Sequence, residues 1–136
     1  MTHENRKRNL AEELKRAQQV HAEFSLLFEN GHFNGAVSRL YYYLLHHVRA
    51  LLLTKGLEPK SHEAALRLFG QHYVKEGTFP TEASHLFARL MKYREEADYN
   101  PSYDFSATDA DRLKNEVEEL AGRIRTHLEQ SGFHQA

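Results

Sequence analysis

The stretch from Phe33 to Lys55 constrains the fold more than any other part of the chain. Val37, Leu40, Tyr41, Leu44, Val48, Leu51 and Leu52 recur every three or four residues, which places them on one side of a helix. Ala36, Tyr43 and Ala50 extend the apolar surface towards a second side. A helix this apolar around its circumference must be surrounded by other elements. The longest unbroken apolar run, Leu40 to Leu45, is too short to span a bilayer, so the cover is protein rather than lipid.

Four more helices are predicted to supply that cover. The first runs over roughly Asn5 to Asn30, with Leu10, Leu14, Ala17, His21, Phe24, Leu27 and Phe28 at helical spacing and a charged opposite face. A short one is expected over His62 to Lys75, with Ser61 as N-cap and Ala65, Leu66, Phe69 and Tyr73 inward. A fourth begins near Thr81, buries Ala83, Leu86, Phe87, Leu90 and Met91, and stops before Pro101, which forces Asn100 out of helical geometry. The fifth follows a tyrosine-rich loop, capped by Ser106 or Thr108 with Asp109 or Asp111 three residues on, and carries Leu113, Val117, Leu120, Ile124 and Leu128. Gly31, Gly56, Gly77 and Gly132 each follow a periodic stretch, where a left-handed residue closes a helix, and Pro59, Pro80 and Pro101 fall between stretches. No strand and no internal repeat is apparent. The expectation is an all-α fold, an antiparallel up-and-down bundle of four to five helices, formed by one domain over residues 1–136.

Composition narrows the chemistry. There is no cysteine, so hydrophobic packing alone must hold the fold, without disulfides or thiolate metal sites. The segment from Met1 to Arg8 is polar and basic with no apolar signal core, and a cytoplasmic protein with no membrane partner is expected. A net charge of −1 provides no global field for nucleic acid, although Arg6, Lys7 and Arg8 form a local basic cluster. Ten histidines are scattered from His3 to His134, and none shares a helix face at H-x-x-x-H or H-E-x-x-H spacing. No metal and no cofactor is therefore expected.

Three consecutive tyrosines, Tyr41 to Tyr43, sample about 300° of a helix, so at least one or two belong to packing. The remainder offers a stacking surface for bases. Arg39 and Arg49 on the same helix read first as snorkelling or ion-paired side chains. Arg94 is more informative, because continuing the buried series Ala83, Phe87, Leu90 by one turn lands on it. Two roles are open for it. Asp98 stands four residues on, at ion-pair spacing. Alternatively the guanidinium faces a phosphate, whose oxygens match its planar fork of donors and whose charge it balances at any working pH.

The string Ala36-Val37-Ser38-Arg39-Leu40-Tyr41-Tyr42-Tyr43-Leu44-Leu45-His46 resembles the second-helix signature of prokaryotic HEPN-domain proteins. Leu51-Leu52-Leu53, Lys55-Gly56, Lys60-Ser61-His62, Leu68-Phe69-Gly70 and Arg94-Glu95-Glu96-Ala97-Asp98-Tyr99 agree with the same family in the same order, so the resemblance covers about Phe33 to Leu128. It implies a helical bundle that pairs with itself as a homodimer. It also implies an origin in toxin–antitoxin or defence modules beside a small nucleotidyltransferase, with many members acting as metal-independent ribonucleases. Carried onto this chain, Arg94, Asp98 and Tyr99 become candidate catalytic residues, and Arg39, Tyr42, His46 and His62 candidate contacts to RNA or a nucleotide.

The family's ribonuclease signature is an arginine followed, after four to six residues, by histidine, and here the sequence departs from it. Beyond Arg94 that window holds Tyr99, Asn100 and Pro101. Arg16 with His21, Arg39 with His46, and Arg67 with His72 match the spacing, but with eleven arginines, three offsets and ten histidines about two chance matches are expected. Cleavage without metal needs a base for the 2′-hydroxyl, an acid for the leaving oxygen and a cation for the phosphorane. Arg94 supplies only the cation, while Asp98 and Tyr99 are poorly matched to proton transfer near neutral pH. Weak or absent cleavage is thus expected, with a gain on Tyr99→His. The other reading is a non-catalytic helical module that binds a nucleotide or a partner nucleotidyltransferase.

Overall fold

The computed structural model describes residues 2–133; Met1 and His134 lie outside them. The fold is all-α, as the periodicity predicts. The helices are α1 (His3–Glu29), α2 (Phe33–Leu53), α3 (His62–Phe69), α4 (Thr81–Tyr99) and α5 (Ala107–Gln130), with a π-helical turn at Gly70–Val74 directly after α3.

Local chemistry accounts for most boundaries. The Thr2 hydroxyl accepts from the Asn5 amide and the Ser61 hydroxyl from the Ala64 amide, each satisfying a first-turn donor. Ser106 and Asp109 cap α5 reciprocally, which settles the choice of cap in favour of Ser106. Gly31 and Gly56, at φ +77° and +71°, close α1 and α2 in the left-handed conformation that other L-residues rarely adopt. At Gly56 a Cβ would also meet Arg6 Nη2 at 2.8 Å.

Pairs of contacts fix the directions. Glu23 meets Arg39 and Glu13 meets His46, so α1 and α2 run antiparallel. Phe87 stacks near Tyr41 while Asp98 shares a groove with Gly35 and Ser38, so α4 is also antiparallel to α2. Arg89 of α4 bonds Glu116 of α5, and His21 of α1 bonds Glu118 of α5. The result is the up-and-down arrangement of α1, α2, α4 and α5, with α3 laid across the link from α2 to α4.

Helix α2 is the centre of the bundle. Between Ala36 and Leu53 only Arg39, Tyr42, His46 and Arg49 escape burial. Each Leu or Val placed there contributes about 1.5–3 kcal/mol by leaving water. One chain covers the apolar surface of α2 apart from the half-buried Phe33 and Tyr42, so the homodimer expectation rests on the family resemblance.

The sequence predicts one continuous helix to Lys75, but the α-helix ends at Phe69. The Lys75 amide bonds the Gly70 carbonyl at 2.8 Å, a wider loop than an α-turn. This turn brings buried Tyr73 to the end of α2, where its hydroxyl donates to the Leu51 carbonyl at 3.0 Å and lies 2.6 Å from Thr54 Oγ1.

Candidate functional site

The accessible stripe of α2 holds Arg39, Tyr42, His46 and Arg49, at intervals of three, four and three residues that keep them in one row. Of the tyrosine triplet, Tyr41 and Tyr43 belong to the core and Tyr42 joins this row. Helix α1 flanks the stripe on one side with Glu13 and Glu23, and α4 and the start of α3 flank it on the other with Arg94 and His62.

Arg94 is the pivot. Its side chain is only 12% exposed, and its guanidinium carbon lies 5.2 Å from the ring centre of Tyr41 and 5.9 Å from that of Tyr42. Arg39 approaches the Tyr42 ring to 5.1 Å, so two cations share this aromatic pair. Such contacts are worth about 0.5–2 kcal/mol each, the more so where water is excluded. The ion pair with Asp98 that the spacing allows is not formed. The ionic contact Arg94 makes is to exposed Glu95, at a loose 3.8 Å, and Arg94 Nε is buried without a hydrogen-bond partner. Arg39 and Arg49 differ in this respect, since each reaches a carboxylate of α1: Glu23 at 3.3 Å and Glu13 at 3.2 Å.

His62 stacks beside Tyr41 at 5.4 Å and meets Tyr42 edge-on at 6.2 Å. The Tyr41 hydroxyl is hydrogen-bonded to His62 Nδ1. Burial pushes the Tyr41 phenol well above its ordinary range, against the opposing charge of Arg94, so the phenol stays protonated and donates. Burial, and after it the Arg94 charge, hold His62 below its ordinary pKa. His62 is thus a neutral ring that accepts at Nδ1 and presents an N–H at Nε2.

His46 is arranged in the opposite sense. Its Nδ1 lies 2.7 Å from Glu13 Oε2, and the other oxygen of Glu13 accepts from Arg49 Nε. Burial raises the Glu13 carboxyl, but the hydrogen bond from His46 and the charge of Arg49 outweigh it and leave the group below its ordinary pKa. A carboxylate at Nδ1 fixes the proton there and leaves Nε2 as the basic nitrogen. His46 stands one helical turn, about 6 Å, beyond Tyr42.

The predicted residues therefore divide. Arg39, Tyr42, His62 and Arg94 come together, and His46 continues the same row. Asp98 instead lines a groove of about 430 Å³ with Glu23, Leu26, Gly35, Ser38 and Arg39, beyond the end of the cluster. Tyr99, the last residue of α4, is 75% exposed, and five residues of helix turn it about 140° from Arg94. Glu13 and Tyr41 are the two members that the sequence did not single out. Tyr41 belongs to the tyrosine triplet, whereas Glu13 is one of many acids on a charged face. Among the described residues no three histidine or acidic side chains form a metal-holding group, and no helix is long and apolar enough to cross a membrane.

The HEPN domain model matches residues 11–127. A protein of Methanocaldococcus jannaschii named “Putative toxin” is 33% identical over 105 residues, 77% of this chain and 78% of its own length. A second protein of that organism bearing the same description is 27% identical over 122 residues, 90% of this chain and 83% of its own. A Thermotoga maritima protein named only as a UPF0332 protein is 34% identical over 91 residues, 67% of this chain and 69% of its own.

Proposed function

This chain belongs to the HEPN domain family, and from that premise we propose that it is the toxin-type member of a toxin–antitoxin module, binding RNA through the face centred on Arg94. The observation that carries the proposal is the state of that arginine. A half-buried guanidinium held over two tyrosines, with a buried, unpartnered Nε and only a loose carboxylate nearby, is organised to receive an anion. A phosphodiester oxygen supplies both the charge and the acceptor it lacks. Tyr42 offers an adjoining base a surface to stack on, and His62 Nε2 donates towards the same place. The names of the M. jannaschii relatives support the toxin role, and an antitoxin partner follows from it, a nucleotidyltransferase being the kind the family resemblance implies.

Cleavage, in this reading, uses His46 rather than a residue after Arg94. Nε2 of His46 takes the 2′-hydroxyl proton, and the oxygen so freed attacks the adjacent phosphorus while Arg94 balances the charge of the phosphorane. The P–O5′ bond then breaks to leave a 2′,3′-cyclic phosphate and a 5′-oxygen that takes its proton from water. The reaction is slow, because no group on the face is a matched acid for the leaving 5′-oxygen. A second reading, a module that holds a nucleotide without cleaving it, is favoured by Tyr99, Asn100 and Pro101 in the window where the family spacing puts histidine. We place the face in the groove of a homodimer, a state that sedimentation velocity reads directly.

The test compares Arg94→Ala with Arg112→Ala, which removes the same charge from the exposed start of α5. RNA binding at two salt concentrations should weaken more in Arg94→Ala, with the salt slope reduced by about one. Equal losses would mean that only net charge matters. A lower melting temperature with binding intact would make Arg94 a structural ion.

A further inference from the structure

We propose that the chain carries a second oxyanion site, built on Arg125, Tyr43 and His47, which takes a phosphate group. It lies on the other flank of α1 from the Arg94 face. Glu13 and Glu23 of α1 turn towards that face, whereas Leu14, Gln18 and His21, spaced four and three apart, line a cavity of about 390 Å³ with Tyr43, His47 and Arg125.

Hydrogen bonding fixes how these groups present themselves. His47 is 2% exposed, and its Nδ1 lies 2.9 Å from the Tyr43 carbonyl, which only accepts, so Nδ1 carries the proton. Nε2 is then the acceptor for Arg125 Nη1 at 2.9 Å. The same Nη1 lies 3.1 Å from the Tyr43 hydroxyl oxygen, which accepts from it and keeps its own proton to donate. Two neutral side chains thus hold one edge of the guanidinium.

Among the described residues, charge is the part that is unmatched. No carboxylate among them pairs with Arg125, and Glu118, which meets the cavity-lining His21 at 2.7 Å, is engaged there. Arginine cannot shed its proton at any working pH, so a half-buried guanidinium in a polar cavity retains a full charge. The remaining guanidinium donors, the Tyr43 O–H and the Gln18 amide come from three different helices. A tetrahedral oxyanion offers acceptor oxygens in that many directions, which a planar carboxylate does not. The cavity is larger than one phosphate ion, so the group arrives either free or on a small metabolite.

Two-dimensional spectra of the histidine rings test this on the full chain. Inorganic phosphate is titrated first, then a nucleoside monophosphate, each against chloride at equal ionic strength. The His21 and His47 signals should shift saturably, while His62 reports the Arg94 face separately. Arg125→Gln should abolish the first response and spare the second, and Arg125→Lys, which keeps the charge but loses the fork, should retain a response weakened several-fold. Tighter saturation by the nucleoside monophosphate assigns the site to a carried phosphate, and equal saturation to a free one. No saturable shift of His21 and His47 in the native protein, which needs no variant to observe, overturns the proposal. So does a response that survives unchanged in Arg125→Gln.

Discussion

Arg94 lies over the face of Tyr41, its guanidinium carbon 5.2 Å from the ring centre. The hydroxyl of that tyrosine donates to His62, so one aromatic ring joins a cation to an imidazole. Arg94 is also, after burial, the second cause that holds the His62 pKa down. Of the three, His62 is the one that changes charge near neutrality, and its two neighbours bear on when it does so.

The first prediction concerns that titration. His62 has a folded pKa below its unfolded value, so the unfolded chain binds its proton first as pH falls. The stability that neutral His62 contributes is complete above the unfolded value of about 6.5 and is lost as pH falls through the folded one. Arg94→Ala should move the His62 titration back up, partway, because burial remains. A His62 midpoint unchanged in Arg94→Ala, read by ring proton shifts, would mean the two groups are not coupled.

Glu13 bridges His46 and Arg49 across the seam between α1 and α2. Its folded pKa is depressed, so its contribution is present above the ordinary carboxylate range and disappears as pH falls through the folded pKa. Glu13→Gln should cost about 1–2 kcal/mol at neutral pH, since the pair it makes with His46 is charge-assisted and four-fifths buried. The difference between the variant and the native protein should close in acid. Urea melts at pH 7 and pH 3 check both statements, and a constant difference would assign the loss to packing.

Tyr73 supports the fold from outside the candidate face. Its hydroxyl donates to Leu51 and lies against Thr54 Oγ1, and burial holds its phenol above the ordinary pKa. Tyr73→Phe removes one buried hydrogen bond while the Thr54 hydroxyl and amide still satisfy the Leu51 carbonyl, and it should destabilise by about 1 kcal/mol without altering RNA binding. A binding loss of the same size would show that the end of α2 communicates with the Arg94 face.

Local signals account for what was legible in the sequence. Glycine at Gly31 and Gly56, a serine before His62 and another before Ala107 mark helix ends through interactions of a few residues, and the structure uses each of them. The π-helical turn was not legible, because the pattern Ala65, Phe69, Tyr73 fits one continuous helix and the extra residue serves a contact to α2. The fate of Arg94 was half legible. Its place at the end of the buried stripe was readable, but spacing along α4 offered Asp98, whereas the side chain goes to tyrosines of another helix. Glu13 left no signal, since 33 residues separate it from His46 and its neighbour Glu12 looks identical in sequence.

The last prediction decides where a base would come from. The spacing rule directs attention to position 99, yet Tyr99 is 75% exposed and rotated about 140° from Arg94 along α4. An imidazole placed there is expected to project away from Arg94 of the same chain. His46 faces the stripe instead, with a carboxylate at Nδ1 and a basic Nε2. RNA cleavage without metal should therefore be slow in the native protein and fall at least tenfold in His46→Ala, the usual scale for loss of a general base being about 10²–10⁴. Glu13→Gln should lower the rate less and shift its pH profile, because it positions His46 rather than touching the substrate. Tyr99→His should change nothing in a monomer. A gain in Tyr99→His that appears only when the protein is dimeric, and vanishes with Arg94→Ala, would place the base of one chain against the arginine of its partner and displace His46 from the role. No cleavage by native protein that binds RNA would leave the face as a binding surface and favour the nucleotide-holding module.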